Sequence, residues 1–163
     1  MKVRDILKSK GMVLYTVPPT ELLSNCVVTM AEEDIGSLVV MDRSRVVGIL
    51  TFREVILVLA NRHSKWRDSA APLVAQLQVQ AVMQRNPVVA SLDTELHELR
   101  ELMLTRHQRY LPVLDGSTLA GVVSFHDVAR SVYDEQAFEN NMLKAYISDS
   151  RATGEIARSG AMQ

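Results

Sequence analysis

One heptapeptide pattern occurs twice at a fixed offset, and this duplication constrains the fold more than any other feature. Gly121-Val122-Val123-Ser124-Phe125-His126-Asp127 has a counterpart seventy-three residues earlier, Gly48-Ile49-Leu50-Thr51-Phe52-Arg53-Glu54. At the same offset Leu38-Val39-Val40-Met41-Asp42 lies over Leu111-Pro112-Val113-Leu114-Asp115, and Met30 over Met103. Across a one-residue indel, Thr20-Glu21-Leu22 falls on Thr94-Glu95-Leu96. Each half reads as opening helix, short strand, amphipathic helix, two strands and closing helix. Two copies of this length make a tandem pair of small domains; a solenoid needs at least about three units.

The heptapeptide itself carries chemistry. A strand ends on small or apolar residues, a hydroxyl follows, and a carboxylate stands three positions later where a helix begins. Positions three apart share a helix face, so Ser124 and Asp127 can address one ligand. The first helical turn offers N–H groups and a positive dipole end suited to phosphate. A carboxylate there can accept from both hydroxyls of a ribose diol, as in dinucleotide folds. The same pattern also serves as an ordinary helix cap, which is the competing reading.

In order along the chain, residues 3–9 form a short helix on Val3, Ile6 and Leu7, ended by Gly11. Val13 to Val17 reads as a strand stopped by Pro18-Pro19, and Thr20 as the N-cap of a helix over 21–33. Ser37 to Met41 and Val46 to Leu50 are strands around a polar hairpin loop, and Phe52 to Asn61 is the closing helix. The second half repeats this plan. Its opening helix lies on Val79, Val82 and Met83, and its first strand runs from Val88 to Ala90. A helix capped by Thr94 follows, with strands Tyr110 to Leu114 and Leu119 to Val123. The expected organisation is a first repeat over 1–62, a connecting segment over 63–76 and a second repeat over 77–133. An extra amphipathic helix over 134–148 carries Phe138, Met142, Ala145 and Tyr146 on one face, and 149–163 reads as a frayed, disordered tail. Trp66, flanked by Lys65 and Arg67, is either a docking tip or a side chain folded back on the surface.

Composition narrows the class. A half of roughly 60 residues is marginal alone, so the halves should fuse across a shared apolar face. A net charge of −1 leaves no footprint for nucleic acid or an anionic membrane. The N-terminus lacks an apolar signal core and no apolar run reaches spanning length, so the expected location is cytoplasmic. The single Cys26 excludes an intrachain disulfide and falls on an apolar helix face, which suits packing. His63, His97, His107 and His126 show no metal-ligand spacing with Cys or carboxylates. Ser124, His126 and Asp127 are neighbours only along the chain and do not read as a catalytic triad, which is assembled in space.

From Val3 to Val132 the chain resembles a tandem pair of cystathionine-β-synthase (CBS) domains. The resemblance rests on Val3-Arg4-Asp5-Ile6-Leu7, on Arg109-Tyr110-Leu111-Pro112-Val113-Leu114-Asp115 and on the duplicated heptapeptide. It implies an α/β (α+β) fold of two pseudo-symmetric β-α-β-β-α repeats packed sheet to sheet, here with an extra C-terminal helix. It further implies a non-catalytic regulatory module, often a homodimer, that binds an adenosine-containing ligand in the inter-repeat cleft. AMP is the first expectation, followed by ADP, ATP, NAD(H) and S-adenosylmethionine, in an energy or redox sensor. Carried over by motif, Ser124 would bond ribose or phosphate and Asp127 the ribose diol. His126, with Arg109 or Arg106, would meet phosphate. Leu111, Pro112 and Val113 would line the adenine slot, approached by Val88 and Val89. In the first repeat Thr16, Thr51 and Arg53 fit the pattern, but Glu54 stands where the family prefers Asp. A bidentate diol contact tolerates little displacement, so this site is expected to be the weaker. An effector acting in trans would read the state, since nothing in the sequence reads as an appended catalytic domain. The alternative is a ligand-independent structural dimerisation or docking module.

Overall fold

The computed structural model describes residues 1–11, 13–65 and 74–160, with side chains for all of these except 64, 65 and 155–160. Trp66 and Arg67 lie outside the described residues. The first sheet has the order β1 (Thr16–Val17), β2 (Ser37–Asp42), β3 (Arg45–Thr51), β4 (Gln84–Arg85). The second has β5 (Ala90–Ser91), β6 (Tyr110–Asp115) and β7 (Thr118–Ser124). The helices are α1 (Val3–Lys10), α2 (Leu23–Glu32), α3 (Phe52–Lys65), α4 (Leu96–Thr105) and α5 (Phe125–Gly160). This is the expected mixed α/β fold with two β-α-β-β-α repeats.

The duplication persists in the register. Val40 pairs with Gly48 and Val113 with Gly121, each immediately before a bulge at Val40/Met41 and Val113/Leu114. Val17 pairs with Val40 in parallel, as Ala90 does with Val113. The buried stripe of α2 is Leu23, Cys26 and Met30, and that of α4 is Leu96, Leu99 and Met103. Both stripes follow the i, i+3, i+7 spacing of one helix face. All these pairs keep the seventy-three-residue offset, so the indel inferred from the Thr20 and Thr94 tripeptides does not exist in the fold.

The capping expectations change accordingly. The N-caps are Leu22 and Glu95, not Thr20 and Thr94. Glu21 takes over near α2, its Oε1 accepting from Leu22 N at 2.9 Å and Asn25 Nδ2 at 2.8 Å. Those bonds, Asn25 first, hold its carboxyl below the usual range. Thr94 Oγ1 instead accepts from Ser91 N, closing the turn before α4, where Glu95 and Glu98 form the capping box. A one-carbon threonine arm reaches its own turn more readily than a helix that starts two residues later.

Three further elements differ from expectation. The second repeat opens with a 3-10 turn, Val79–Ala81, and the strand β4 in place of an α-helix; Asn86 then adopts a positive φ of 47° before Pro87. α3 runs to Lys65, into the expected connection. α5 is one helix of 36 residues, so the closing and extra helices are continuous and the segment from Asp149 to Gly160 is helical where a frayed tail was expected. Ala, Glu and Arg favour helix there, no Pro interrupts, and Thr153 Oγ1 donates to the Asp149 carbonyl at 2.8 Å.

The halves are joined by reciprocal exchange. Val3 N donates to Thr94 O at 2.9 Å, and Val79 N to Glu21 O at 2.7 Å. Leu96 N donates to Met1 O at 2.9 Å, and Leu23 N to Leu77 O at 2.8 Å. Each repeat's opening segment is thus hydrogen-bonded to the other repeat. Side chains follow: Val79 and Met83 enter the first repeat's core with Leu23, Met30 and Leu50, while Leu7 covers Gly121 in the second. Apolar surface that neither half could cover alone is thereby removed from water. Residues Met1–Phe125 accordingly form one compact unit, and His126 onward a second.

Cys26 is fully buried in that core. Burial, with the Glu21 charge adding to it, pushes its thiol pKa up to about 11. Native protein at pH 8 is therefore expected not to react with an aromatic disulfide reagent, and to release one equivalent of chromophore once denaturant is added. Prompt reaction of the native protein would contradict this burial.

Candidate functional site

Both motifs fall at strand-to-helix junctions. In the first, β3 ends on Thr51 and α3 starts at Phe52. Glu54 is only 8 % exposed. Its Oε2 accepts from Thr51 N at 2.7 Å and from the Thr51 hydroxyl, while Arg53 N donates to Thr51 Oγ1 at 3.2 Å. Thr51 and Glu54 thus satisfy each other, as in a helix cap. The glutamate carboxylate curls back onto the strand end.

In the second motif β7 ends on half-buried Ser124, and the next residue, Phe125, donates its N–H to the Arg109 carbonyl at 2.8 Å. Asp127 stands in the first turn of α5, half-buried, and its carbonyl accepts from Ser131 Oγ at 2.9 Å. His126 is exposed.

Among the described residues of the Met1–Phe125 unit, two clefts are related by the duplication. The larger, 740 Å³, is bounded by Thr51, Arg53 and Glu54 on one side and by His107, Arg109 and Tyr110 on the other. The smaller, 470 Å³, sets Val122 and Ser124 opposite Asp34, Gly36 and Ser37, with Tyr15 and Lys10 along its edge. Residues 107–110 of one cleft are the counterparts of 34–37 in the other. His107 and Asp34 both adopt φ 52° just past the ends of α4 and α2, the left-handed step that turns the chain from helix into the next strand. Tyr110 lines both clefts. A Cβ at Gly36 would overlap the Tyr110 hydroxyl, so glycine there gives the ring its place between them.

The two clefts differ in charge. Arg53 and Arg109 face one glutamate in the larger; Lys10 faces Glu33 and Asp34 in the smaller. Tyr15 donates to Glu33 Oε2 at 2.6 Å, which with some burial raises the phenol above its ordinary pKa. Lys10 Nζ donates to the Val122 carbonyl at 3.1 Å.

The expected site residues separate on this frame. Thr51, Arg53, Glu54 and Arg109 come together in the larger cleft, so the Arg109 side chain accompanies the first motif and only its carbonyl serves the second. Ser124 lines the smaller cleft. Leu111, Pro112 and Val113 are buried in β6, where Leu111 and Val113 are core residues and the three line neither of these two clefts. Thr16, Val88 and Val89 also lie outside both linings. Gln84, Gln108 and His107 were not legible as cleft residues. For Tyr110 the signal was present, because strand alternation places it opposite Ser124 in the β6–β7 register. Among the described residues no cluster of His, Cys, Asp or Glu could hold a metal, and no helix is long and apolar enough to cross a membrane.

Comparison with known proteins agrees with this fold. The chain is 33% identical over 135 residues to an uncharacterised 17.7 kDa protein of Acidianus ambivalens, covering 82% of this chain and 74% of that one. A crystal structure of a CBS-domain-containing protein from Agrobacterium tumefaciens superposes with a TM-score of 0.71 at 28% identity, over 80% of this chain and 98% of that one. A CBS-domain protein of Pyrobaculum aerophilum, solved in complex with AMP, shares the fold with a TM-score of 0.69 at 19% identity, over 85% and 99% of the two chains. The family model for the CBS domain matches twice, over residues 3–61 and 79–134. The two matched segments are the two halves of the duplication: the chain belongs to the CBS-domain family, as a tandem pair.

Proposed function

We propose that the protein is a non-catalytic regulatory module that binds an adenosine-containing nucleotide, AMP before ADP, ATP, NAD(H) or S-adenosylmethionine. The observation that carries this reading is the second motif, with Ser124 at the end of β7 and Asp127 in the first turn of α5. There Asp127 is the ribose-diol acceptor and Ser124 the ribose or phosphate partner. That the Pyrobaculum protein was solved with AMP makes AMP the first ligand to test. Binding signals to an effector in trans, from a cytoplasmic homodimer, by favouring one arrangement of the module. Such a shift requires that the two arrangements differ in ligand affinity.

The test is thermal unfolding of ligand-stripped protein with each nucleotide. At about 100 times its dissociation constant a ligand adds roughly 2.7 kcal/mol, a shift of several degrees for a chain of this length. Asp127→Ala should abolish that shift. A shift that survives in this variant would move the site elsewhere, and the absence of any shift would favour the structural dimerisation module. The exposed Phe138, Met142 and Tyr146 on α5 are the feature that supports this second reading.

A further inference from the structure

The second family match ends at residue 134, whereas α5 runs on to Gly160. This added length carries Phe138, Met142, Leu143, Tyr146 and Ile147, each at least half exposed. At about 100° per residue they occupy one continuous arc, roughly half of the helix circumference. With about 100–150 Å² of bare apolar surface for each, they leave roughly 600 Å² per chain, a size at which a patch marks an interaction site. Two such faces together approach the ~1,200 Å² at which stable protein interfaces begin.

Glu139 and Tyr146 stand two turns apart in the middle of this arc, with Phe138 and Met142 on one side and Leu143 and Ile147 on the other. A carboxylate at the centre does not suit a hydrocarbon surface. It also decides the direction of pairing. In a parallel pair Glu139 of each chain would meet its own copy, two like charges losing water together. In an antiparallel pair centred between Met142 and Leu143, Glu139 comes level with the partner's Tyr146, whose hydroxyl donates to it. Two-fold symmetry makes that contact twice. The same pairing sets Phe138 level with the partner's Ile147, and Asp134 level with the partner's Arg151. The face therefore complements itself in the antiparallel direction. We propose that the extension of α5 is a self-association surface, pairing antiparallel with α5 of a second copy through its apolar arc and the reciprocal Glu139–Tyr146 contact. This gives the homodimer of the preceding reading a contact surface, and it does not depend on nucleotide binding.

Light scattering of the full chain over a range of concentrations should give an even number of copies. Met142→Asp and Tyr146→Asp should each halve that mass, their association weakened about tenfold or more by the loss of a buried contact. Tyr146→Phe, which removes only the hydroxyl, should weaken it less. Direction is read with cysteines, since the native Cys26 is buried and its thiol is unreactive at neutral pH. Glu139→Cys and Tyr146→Cys, each alone, should form little disulfide-linked dimer under mild oxidation. Like positions then lie about 10 Å apart along the helix axis, too far for a disulfide. After the two variants are mixed and exchange subunits, a linked heterodimer should form. The proposal is overturned if the chain is monomeric, if both aspartate variants keep the wild-type mass, or if either single-cysteine variant links to itself as readily as the mixture links. The AMP response in thermal unfolding is measured separately, so failure of the nucleotide reading and failure of this one are told apart.

Discussion

Leu23→Ala is expected to lower the stability of the whole Met1–Phe125 unit by about 2–5 kcal/mol, the range for a leucine truncated inside a close-packed core. Leu23 is fully buried at the start of α2, and its amide is bonded to Leu77 O at 2.8 Å. It shares a core with Val79 and Met83, which come from the opening of the other repeat. The cavity would therefore open at the junction of the halves. A Leu99→Ala variant, in the fully buried equivalent of Cys26 on α4, should fall in the same range. Denaturant titration read separately by far-ultraviolet dichroism and by tyrosine fluorescence should give one coincident transition for each variant. The exchanged segments make the repeats a single cooperative unit, and coincidence of probes is its signature. Two resolved transitions, with Leu23→Ala moving only one, would contradict that reading.

Gly48→Ala and Gly121→Ala should differ although they occupy the same place in the duplication. A Cβ at Gly48 would overlap Met83 Sδ, and would stand 2.8 Å from Met83 Cγ and 3.0 Å from the Gln84 carbonyl oxygen. The sulfur can move, but the carbonyl belongs to β4, which pairs with β3 at Gly48↔Arg85. Relief would have to come from the strand that ties the second repeat to the first sheet. Overpacking of this kind costs about 1–3 kcal/mol, or some 2–4 °C of melting temperature for each kcal/mol. At Gly121 the nearest atoms are the Leu7 methyls at 3.1 and 3.2 Å, the free end of a side chain on α1. A few tenths of an ångström suffice there, and the loss of glycine's unfolded-state freedom offsets part of the cost. Gly121→Ala is expected to stay within about 1 kcal/mol of wild type by that reasoning. Equal melting temperatures for the two variants would show that β4 yields as easily as Leu7.

The duplication was legible because burial imposes period and spacing on each strand and helix, and both copies solve the same burial problem. Leu38 and Val40, Leu111 and Val113, and the stripes of α2 and α4 could be read for that reason, and all are in the core. The capping residues were misread because Thr20 and Thr94 look alike locally. Which side chain caps a helix depends on where the helix starts, and tertiary contacts to Leu77 and Met1 set that start. The opening of the second repeat became a 3-10 turn and a strand because β3 offered an open edge for Gln84 and Arg85. The pattern Val79, Val82, Met83 is compatible with either outcome.

The candidate sites divide in the same way. Which residues belong to the motif is a matter of spacing along the chain, so Thr51, Glu54, Ser124 and Asp127 could be named from it. Which wall faces which motif is not, because the clefts form between segments about sixty to ninety residues apart. Arg109 stands beside Thr51 because residues 107–110 of one repeat lie across from the strand end of the other. Glu54 and Asp127 differ by one methylene in the sequence. In the fold Glu54 reaches back to the Thr51 backbone and hydroxyl and is buried. The sequence by itself determined the two repeats, their cores and the motif positions, since these follow from local periodicity. Tertiary structure decided the exchange between halves, the pairing of cleft walls and the opposite charges of the two clefts, because each depends on residues that only folding brings within reach.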